Sequence, residues 1–204
     1  RICFFLLAFQ FAWIADVCHA APILKWKSEN LYNEEAEGAQ YPDQHSAPAV
    51  GSNGEVYVLT SNKARGAGQY WGGTLYALDP DDGSIDWTYY YRAGQKGGGT
   101  KSFTTDLPVV GQDGTIYFTY TGNLGNDDWN STCIAINPSG ALKWTTTPGG
   151  KGYDISRYSL ALAADGSPVI SSLLWEDNVQ AVYSLSPDTG ETRWTHLAEN
   201  KHPG

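Results

Sequence analysis

The sequence predicts an all-β protein built from a repeated unit of four short strands. Its 204 residues include 23 glycines and 13% aromatic residues but only 17% charged residues. This composition is typical of sheets joined by many turns. The stretch TLYALDPDDGSIDW (74–87) recurs as STCIAINPSGALKW (131–144) and QAVYSLSPDTGETRW (180–194). Repetition at an interval of about fifty residues indicates a propeller or a solenoid.

Each repeat is predicted to form four antiparallel strands. Alternating segments such as EVYVLT and TLYALD place one face of each sheet inward. Asn and Asp followed by glycine form hairpin turns readily, because these residues tolerate positive φ angles. The predicted first turns are Asn53-Gly54, Asp113-Gly114 and Asp165-Gly166, and the predicted third turns begin at Pro80, Pro138 and Pro187 and close at Gly83, Gly140 and Gly190.

Four short antiparallel strands per repeat, arranged radially, make the blades of a β-propeller. The leading ILKW segment (23–26) matches ALKW (141–144) and is predicted to be an outer strand that closes the ring. Three blades leave two exposed sheet edges, so we expect the chain to be the N-terminal part of a larger propeller. The predicted divisions are 21–45 (leading strand and connection), 46–91 (blade 1), 105–147 (blade 2), 158–197 (blade 3) and 198–204 (truncated connection).

A tryptophan closes the leading segment and each repeat. On an outermost strand, its indole can pack between neighbouring blades while its N–H bonds a backbone carbonyl. The sequence therefore predicts a structural docking role for Trp26, Trp87, Trp144 and Trp194.

Residues 77–87, ALDPDDGSIDW, resemble the tryptophan-docking motif of the quinoprotein (PQQ-type) repeat, Ala-x-Asp-x-x-x-Gly-x-x-x-Trp. Residues 184–194 keep this length with Ser at the Ala and Asp positions, and residues 135–144 are one residue shorter. The resemblance extends over residues 22–197 and implies a propeller of the quinoprotein alcohol dehydrogenase-like type. It implies no single activity, since the family includes quinone-dependent dehydrogenases, a lipoprotein of outer-membrane assembly and other exported proteins.

The resemblance transfers no catalytic or metal-binding residue to this chain. The family's dehydrogenases use a vicinal cysteine pair, an Asp base and a calcium ion, whereas Cys3, Cys18 and Cys133 are far apart. We therefore predict a binding or scaffolding module without a cofactor. Two alternatives stay open: part of a dehydrogenase, which would bind PQQ and calcium, and a carbohydrate-binding propeller.

The first 20 residues, RICFFLLAFQFAWIADVCHA, are predicted to be a secretory signal peptide. The prediction is an exported protein, secreted or periplasmic, with no membrane span after cleavage. Retention of the segment as an anchor is the alternative. A net charge of −9 argues against nucleic-acid binding, which requires a basic patch. Cys133 would be the one remaining cysteine, buried as a small apolar residue.

In a four-stranded blade, the second turn and the connection to the next blade lie at one end. These segments are long and differ between repeats: 62–72, 122–130, 175–178, 92–104 and 148–157. Variable loops on a rigid scaffold are where binding concentrates, so this face is predicted to bind a protein or a glycan. Its tryptophans could instead pack against neighbouring blades. The candidate ligand residues are Trp71, Trp129, Trp175, Arg65, Tyr70, Arg92 and Arg157. Asn130 begins the sequon Asn130-Ser-Thr132, which would be a glycosylation site in a eukaryotic source.

Overall fold

The computed structural model describes residues 24–27, 31, 39–64, 70–95, 103–104, 107–123, 129–149, 159–174 and 179–198. The predicted signal peptide lies outside these residues. Within them, no helix is long and apolar enough to cross a membrane.

The described residues form fourteen strands in three antiparallel sheets. The first sheet contains β1 (Ala39–His45), β2 (Ala49–Val50), β3 (Val56–Ala64), β4 (Tyr70–Leu78) and β5 (Ile85–Gln95). The second contains β6 (Phe103–Thr104), β7 (Val109–Val110), β8 (Ile116–Asn123), β9 (Trp129–Ile136) and β10 (Leu142–Thr146). The third contains β11 (Ser159–Leu162), β12 (Pro168–Leu174), β13 (Val179–Leu185) and β14 (Thr192–Ala198).

Each sheet is four strands wide, because the first strand of two sheets is divided into two pieces. Strands β1 and β2 both pair with β3, and strands β6 and β7 both pair with β8. Pro48 and Pro108 lie in the gaps, where a residue without a backbone N–H interrupts the ladder. These three antiparallel sheets confirm the predicted all-β fold class with propeller-type blades.

The first sheet begins earlier than the sequence predicted. Strand β1 pairs Ala39 with Ala64 and His45 with Thr60, so residues 39–45 belong to the sheet, although the sequence assigned them to a connection. Residues 24–27, predicted as a strand, have no strand pairing with the rest of the described chain. The prediction placed the start of the first strand at residue 46, where the apolar alternation begins. It therefore overlooked β1.

The second sheet is buried on both faces, because successive side chains of a strand point to opposite sides. One face contributes Ile116, Phe118, Ile134 and Ile136 to a core with Tyr57, Leu59, Leu75 and Ala77 of the first sheet. The other contributes Tyr117, Cys133, Ala135 and Trp144 to a core with Ile170, Ala181, Tyr183 and Leu185 of the third. The sheets thus stack face to face in chain order, and the predicted burial of Cys133 is confirmed.

The short turns of all three sheets lie at the end opposite the variable segments. Six glycines predicted to adopt positive φ angles in these turns do so: Gly54, Gly83, Gly114, Gly140, Gly166 and Gly190.

Candidate functional site

The variable segments all border one end of the sheets. Antiparallel pairing places the start of β4 beside the ends of β3 and β5, with Gly72 opposite Asn62 and Tyr70 opposite Gln95. The same pairing joins the end of β8 to the start of β9, at Asn123 and Trp129. The segments between consecutive strands at this end are 65–69, 96–102, 124–128, 147–158 and 175–178.

Several predicted loop residues lie in strands, which is a correction to the sequence analysis. Tyr70 and Trp71 begin β4, Arg92 lies in β5, and Trp129 and Asn130 begin β9. Antiparallel pairing continues beyond the apolar core, so the segments predicted at 62–72, 92–104 and 122–130 are shorter than predicted. The side chains of these residues, and the whole of Arg65, Arg157 and Trp175, lie outside the described part. Their convergence into one binding face stays a prediction.

At the opposite end, three tryptophans contact turns that begin with proline. The indole N–H of Trp144 donates to the carbonyl of Pro187 at 2.9 Å, and that of Trp87 donates to Pro138 at 3.1 Å. The N–H of Trp26 donates to the carbonyl of Pro80 at 3.0 Å. Each contact joins one sheet, or the leading segment, to the next sheet along the chain.

The glycine of each turn permits this contact. A Cβ atom added to Gly190 would lie 2.6 Å from Cε3 of Trp144, and one added to Gly140 would lie 2.8 Å from Cδ2 of Trp87. A Cβ atom on Gly83 would lie 2.4 Å from Cε3 of Trp26. Real side chains do not approach so closely, so a residue without a Cβ is required under each indole.

A tyrosine from the same sheet supports two of these indoles. The rings of Tyr57 and Trp87 are 5.9 Å apart and tilted by 44°, and those of Tyr117 and Trp144 are 5.8 Å apart at 46°. Such tilted arrangements favour the contact between ring edge and ring face. Burial raises the pKa of Tyr117 to about 12 and also raises the pKa of Tyr57, whose hydroxyl donates to Glu55. Both phenols therefore stay neutral beside the indoles.

Charged pairs flank two of the three contacts. Lys25, which precedes Trp26, lies 2.9 Å from the carboxylate of Asp81, which follows Pro80. Lys143, which precedes Trp144, lies 3.9 Å from Asp188. The sequence analysis did not predict these ion pairs, although the repeated Lys-Trp and Pro-Asp dipeptides could have indicated them.

A groove of about 540 Å³ lies between the second and third sheets at this end. Its lining includes Asp113, Asp165 and Asp188. The hydrogen bond from Arg193 lowers the pKa of Asp165 to about 2. Burial favours the neutral form of Asp113, but hydrogen bonds from Thr115 and the nearby Lys143 outweigh it and lower the pKa of Asp113. Asp113 and Asp165 are thus held in the ionised form beside Lys143 and Arg193.

No protein-family model matches the chain, and no curated protein matches it. Its fold is distantly similar to that of quinohemoprotein alcohol dehydrogenase from Comamonas testosteroni, with a TM-score of 0.44 and 16% identity over 73% of this chain and 28% of that one.

Two further solved structures show a similar degree of likeness. One is a protein of unknown function from Bacteroides caccae, with a TM-score of 0.40 and 11% identity over 75% of this chain and 46% of that one. The other is the complex of the fission yeast SREBP–SCAP binding domains, with a TM-score of 0.41 and 15% identity over 80% of this chain and 39% of that one. The chain spans less than half the length of each of these three structures.

Proposed function

We propose that this chain is part of an exported propeller of the quinoprotein-repeat type and acts as a binding or scaffolding module. The observation that carries the proposal is the asymmetry between the two ends of the sheets. One end repeats the same short turns and tryptophan contacts, whereas the segments at the other end differ in length and sequence. Stable scaffolds commonly carry their recognition residues on such variable segments.

The residue types around the variable segments suit a protein or a glycan partner. Aromatic faces stack on the apolar faces of sugar rings, and arginines pair with carboxylates. Trp71 and Trp129 begin strands whose neighbouring ends border this face. The proposed recognition set is the one that the sequence indicated: Arg65, Tyr70, Trp71, Arg92, Trp129, Arg157 and Trp175.

A glycan array followed by calorimetry on the retained sugar tests the proposal. The Trp71→Ala and Trp129→Ala variants should each weaken binding at least about tenfold, because stacking aromatic residues dominate such contacts. Trp194→Ala is the matched control, since Trp194 is an exposed tryptophan on the outer strand of the third sheet. Unchanged binding in the Trp71→Ala and Trp129→Ala variants, or an equal loss in the control, would refute the proposed aromatic binding face.

The dehydrogenase alternative makes a different prediction for the same preparation. It requires saturable binding of PQQ and calcium, visible in absorbance and tryptophan fluorescence. Within the described residues, no three His, Cys, Asp or Glu side chains gather as they would around a metal ion. Saturable binding would replace the scaffold proposal and direct attention to the segments outside the described part.

A further inference from the structure

The groove between the second and third sheets has the size of a small-molecule binding site. Its volume of about 540 Å³ falls within the range of ligand pockets, roughly 300–1,000 Å³. Its two walls belong to consecutive sheets that share one apolar core. The groove therefore does not depend on what packs against the outer faces of the first and third sheets.

The most buried part of the lining is apolar. Tyr117 is 1% exposed, and Leu162 and Pro187 are partly buried. Leu162 packs against the core between the two sheets. Ala163 and Ala164 line the third-sheet wall with side chains of a single methyl group, which leaves room for a ligand. A ligand with an apolar body would bury apolar surface in this part of the groove.

The charged side chains of the lining are all carboxylates: Asp113, Asp165 and Asp188. Two of them already accept hydrogen bonds. Asp165 accepts from the backbone N–H of Ser167 at 3.1 Å and from the guanidinium of Arg193 at 2.7 Å. Asp113 accepts from the backbone N–H of Thr115 at 3.0 Å and from its hydroxyl at 2.7 Å. These two carboxylates therefore have partners within their own sheets.

The third carboxylate, that of Asp188, accepts no hydrogen bond from the described residues. The cation near it is Lys143, whose Nζ is 3.9 Å away and thus beyond hydrogen-bond distance. The same Nζ lies closer to Asp113, at 3.5 Å. The side chain of Asp188 is 84% exposed. Asp188 therefore presents a carboxylate at the rim of the groove that can accept hydrogen bonds from a ligand.

Asp188 differs from the residues in the same place of the other two proline turns. In the second sheet this place is occupied by the uncharged Ser139. In the first sheet it is occupied by Asp81, whose carboxylate lies 2.9 Å from Nζ of Lys25. Among these three equivalent positions, Asp188 alone has a carboxylate without a close partner in the described chain.

We propose that this groove binds a small organic cation, a protonated amine on an apolar body. The ammonium group donates to the carboxylate of Asp188 at the rim, and the apolar body lies against Leu162 and the ring of Tyr117. A cation fits because the lining contains carboxylates and no Lys or Arg, whereas an anion would be repelled. The groove lies at the end with the short turns, so this inference is independent of the partner proposed for the variable end.

An NMR titration of the isotope-labelled full chain with phenethylamine tests the proposal. Backbone amide signals of 111–114, 163–166 and 188–190 should shift saturably, whereas those of the equivalent first-sheet turns, 51–54 and 81–83, should not. Phenethyl alcohol has the same apolar body without the charge. It should bind about threefold more weakly, because it cannot form an ion pair with an exposed carboxylate. Equal binding of the alcohol, or shifts spread evenly over the three sheets, would overturn the proposal.

Two variants with matched controls locate the ligand. Asp188→Asn should weaken phenethylamine binding about threefold, whereas Asp81→Asn, the same change in the equivalent turn, should have no effect. Ala164→Arg should abolish binding, because the longer side chain fills the groove and its charge repels the amine. Ser52→Arg, at the equivalent place in the first sheet, should not. All four side chains are exposed, so the variants should fold, which circular dichroism checks. Binding that survives Ala164→Arg, or that Asp81→Asn weakens as much as Asp188→Asn, would contradict the assignment.

A second probe separates a free amine from the lysine side chain of a partner protein. N-acetyl-lysine amide carries the same ammonium group on a flexible stem. It should bind more weakly than phenethylamine, because ordering the stem costs conformational entropy. Tighter binding of N-acetyl-lysine amide would overturn the assignment to a small amine and identify a lysine side chain as the preferred occupant.

Discussion

Trp144 and Trp194 occupy equivalent places in consecutive repeats, yet their surroundings differ. Trp144 lies between Tyr117 and Gly190, donates to Pro187 and is 7% exposed. Trp194 lies on the last described strand and is 50% exposed. The comparison teaches that the tryptophan alone does not form the contact. The turn of the following sheet converts an exposed indole into a core residue.

The largest expected effect is that of Trp144→Ala. Removing a buried indole from a packed site should lower the free energy of unfolding by about 3–5 kcal/mol. Trp194→Ala, the same substitution at the exposed position, should cost less than about 1 kcal/mol. Urea denaturation followed by circular dichroism measures both values, and similar losses at the two positions would contradict the comparison.

Gly190→Ala tests the other side of the Trp144 contact. The added Cβ would meet the indole at 2.6 Å on a backbone with φ of +74°, so the substitution should cost about 2–3 kcal/mol. Gly166→Ala is the matched control, because its φ is +80° and nothing lies within 4 Å of the added atom. The difference between the two denaturation midpoints isolates the steric contact, and equal midpoints would show that the indole moves aside freely.

Trp87→Ala should have an intermediate effect. The predicted docking role places this indole between blades, and in the structure Trp87 is only partly buried. It keeps the bond to Pro138 and the contact with Tyr57, so we expect a loss of about 1–2 kcal/mol. A loss as large as that of Trp144→Ala would show that partial exposure does not reduce the value of the contact.

The smallest effect concerns Arg193, next to Trp194. Its hydrogen bond lowers the pKa of Asp165 to about 2, whereas an unfolded aspartate titrates near ~3.9. Because the pKa of Asp165 is lower in the folded state than in the unfolded state, the ionised carboxylate stabilises the folded protein above pH ~4. This stabilisation is lost as the pH falls from ~4 to about 2. In Arg193→Ala, NMR titration should place the pKa of Asp165 closer to ~3.9. An unchanged pKa would assign the shift to Ser167 alone.

The repeat itself explains how much of the fold the sequence could predict. The alternation of apolar and polar residues in EVYVLT and TLYALD, with glycine turns at Gly54 and Gly83, was sufficient to predict the all-β class and the four-stranded sheets. These signals are local and depend on backbone conformation. Strand β1 carries no such alternation, because AQYPDQH contains a proline and mostly polar residues, and its pairing with β3 became visible only in the structure.

The candidate site was less predictable from the sequence. Period-two alternation ends where the core ends, so Tyr70 and Trp129 read as loop residues although backbone pairing continues through them. The Lys143–Asp188 pair joins residues of different sheets. The geometry of this pair depends on how the second and third sheets stack, which a local sequence pattern does not predict. The repeated Lys-Trp and Pro-Asp dipeptides were the one sequence feature that indicated it.

The second sheet is covered on both faces, and this feature sets the order in which the molecule opens. Its central strands, β8 and β9, have a neighbouring core on each side, whereas every residue of β14 is exposed and the strand has one free edge within the described chain. Local opening is easiest where few apolar contacts must be broken. Backbone amides of β8 and β9 should therefore exchange with deuterium last and those of β14 early, so the third sheet fluctuates while the centre stays closed.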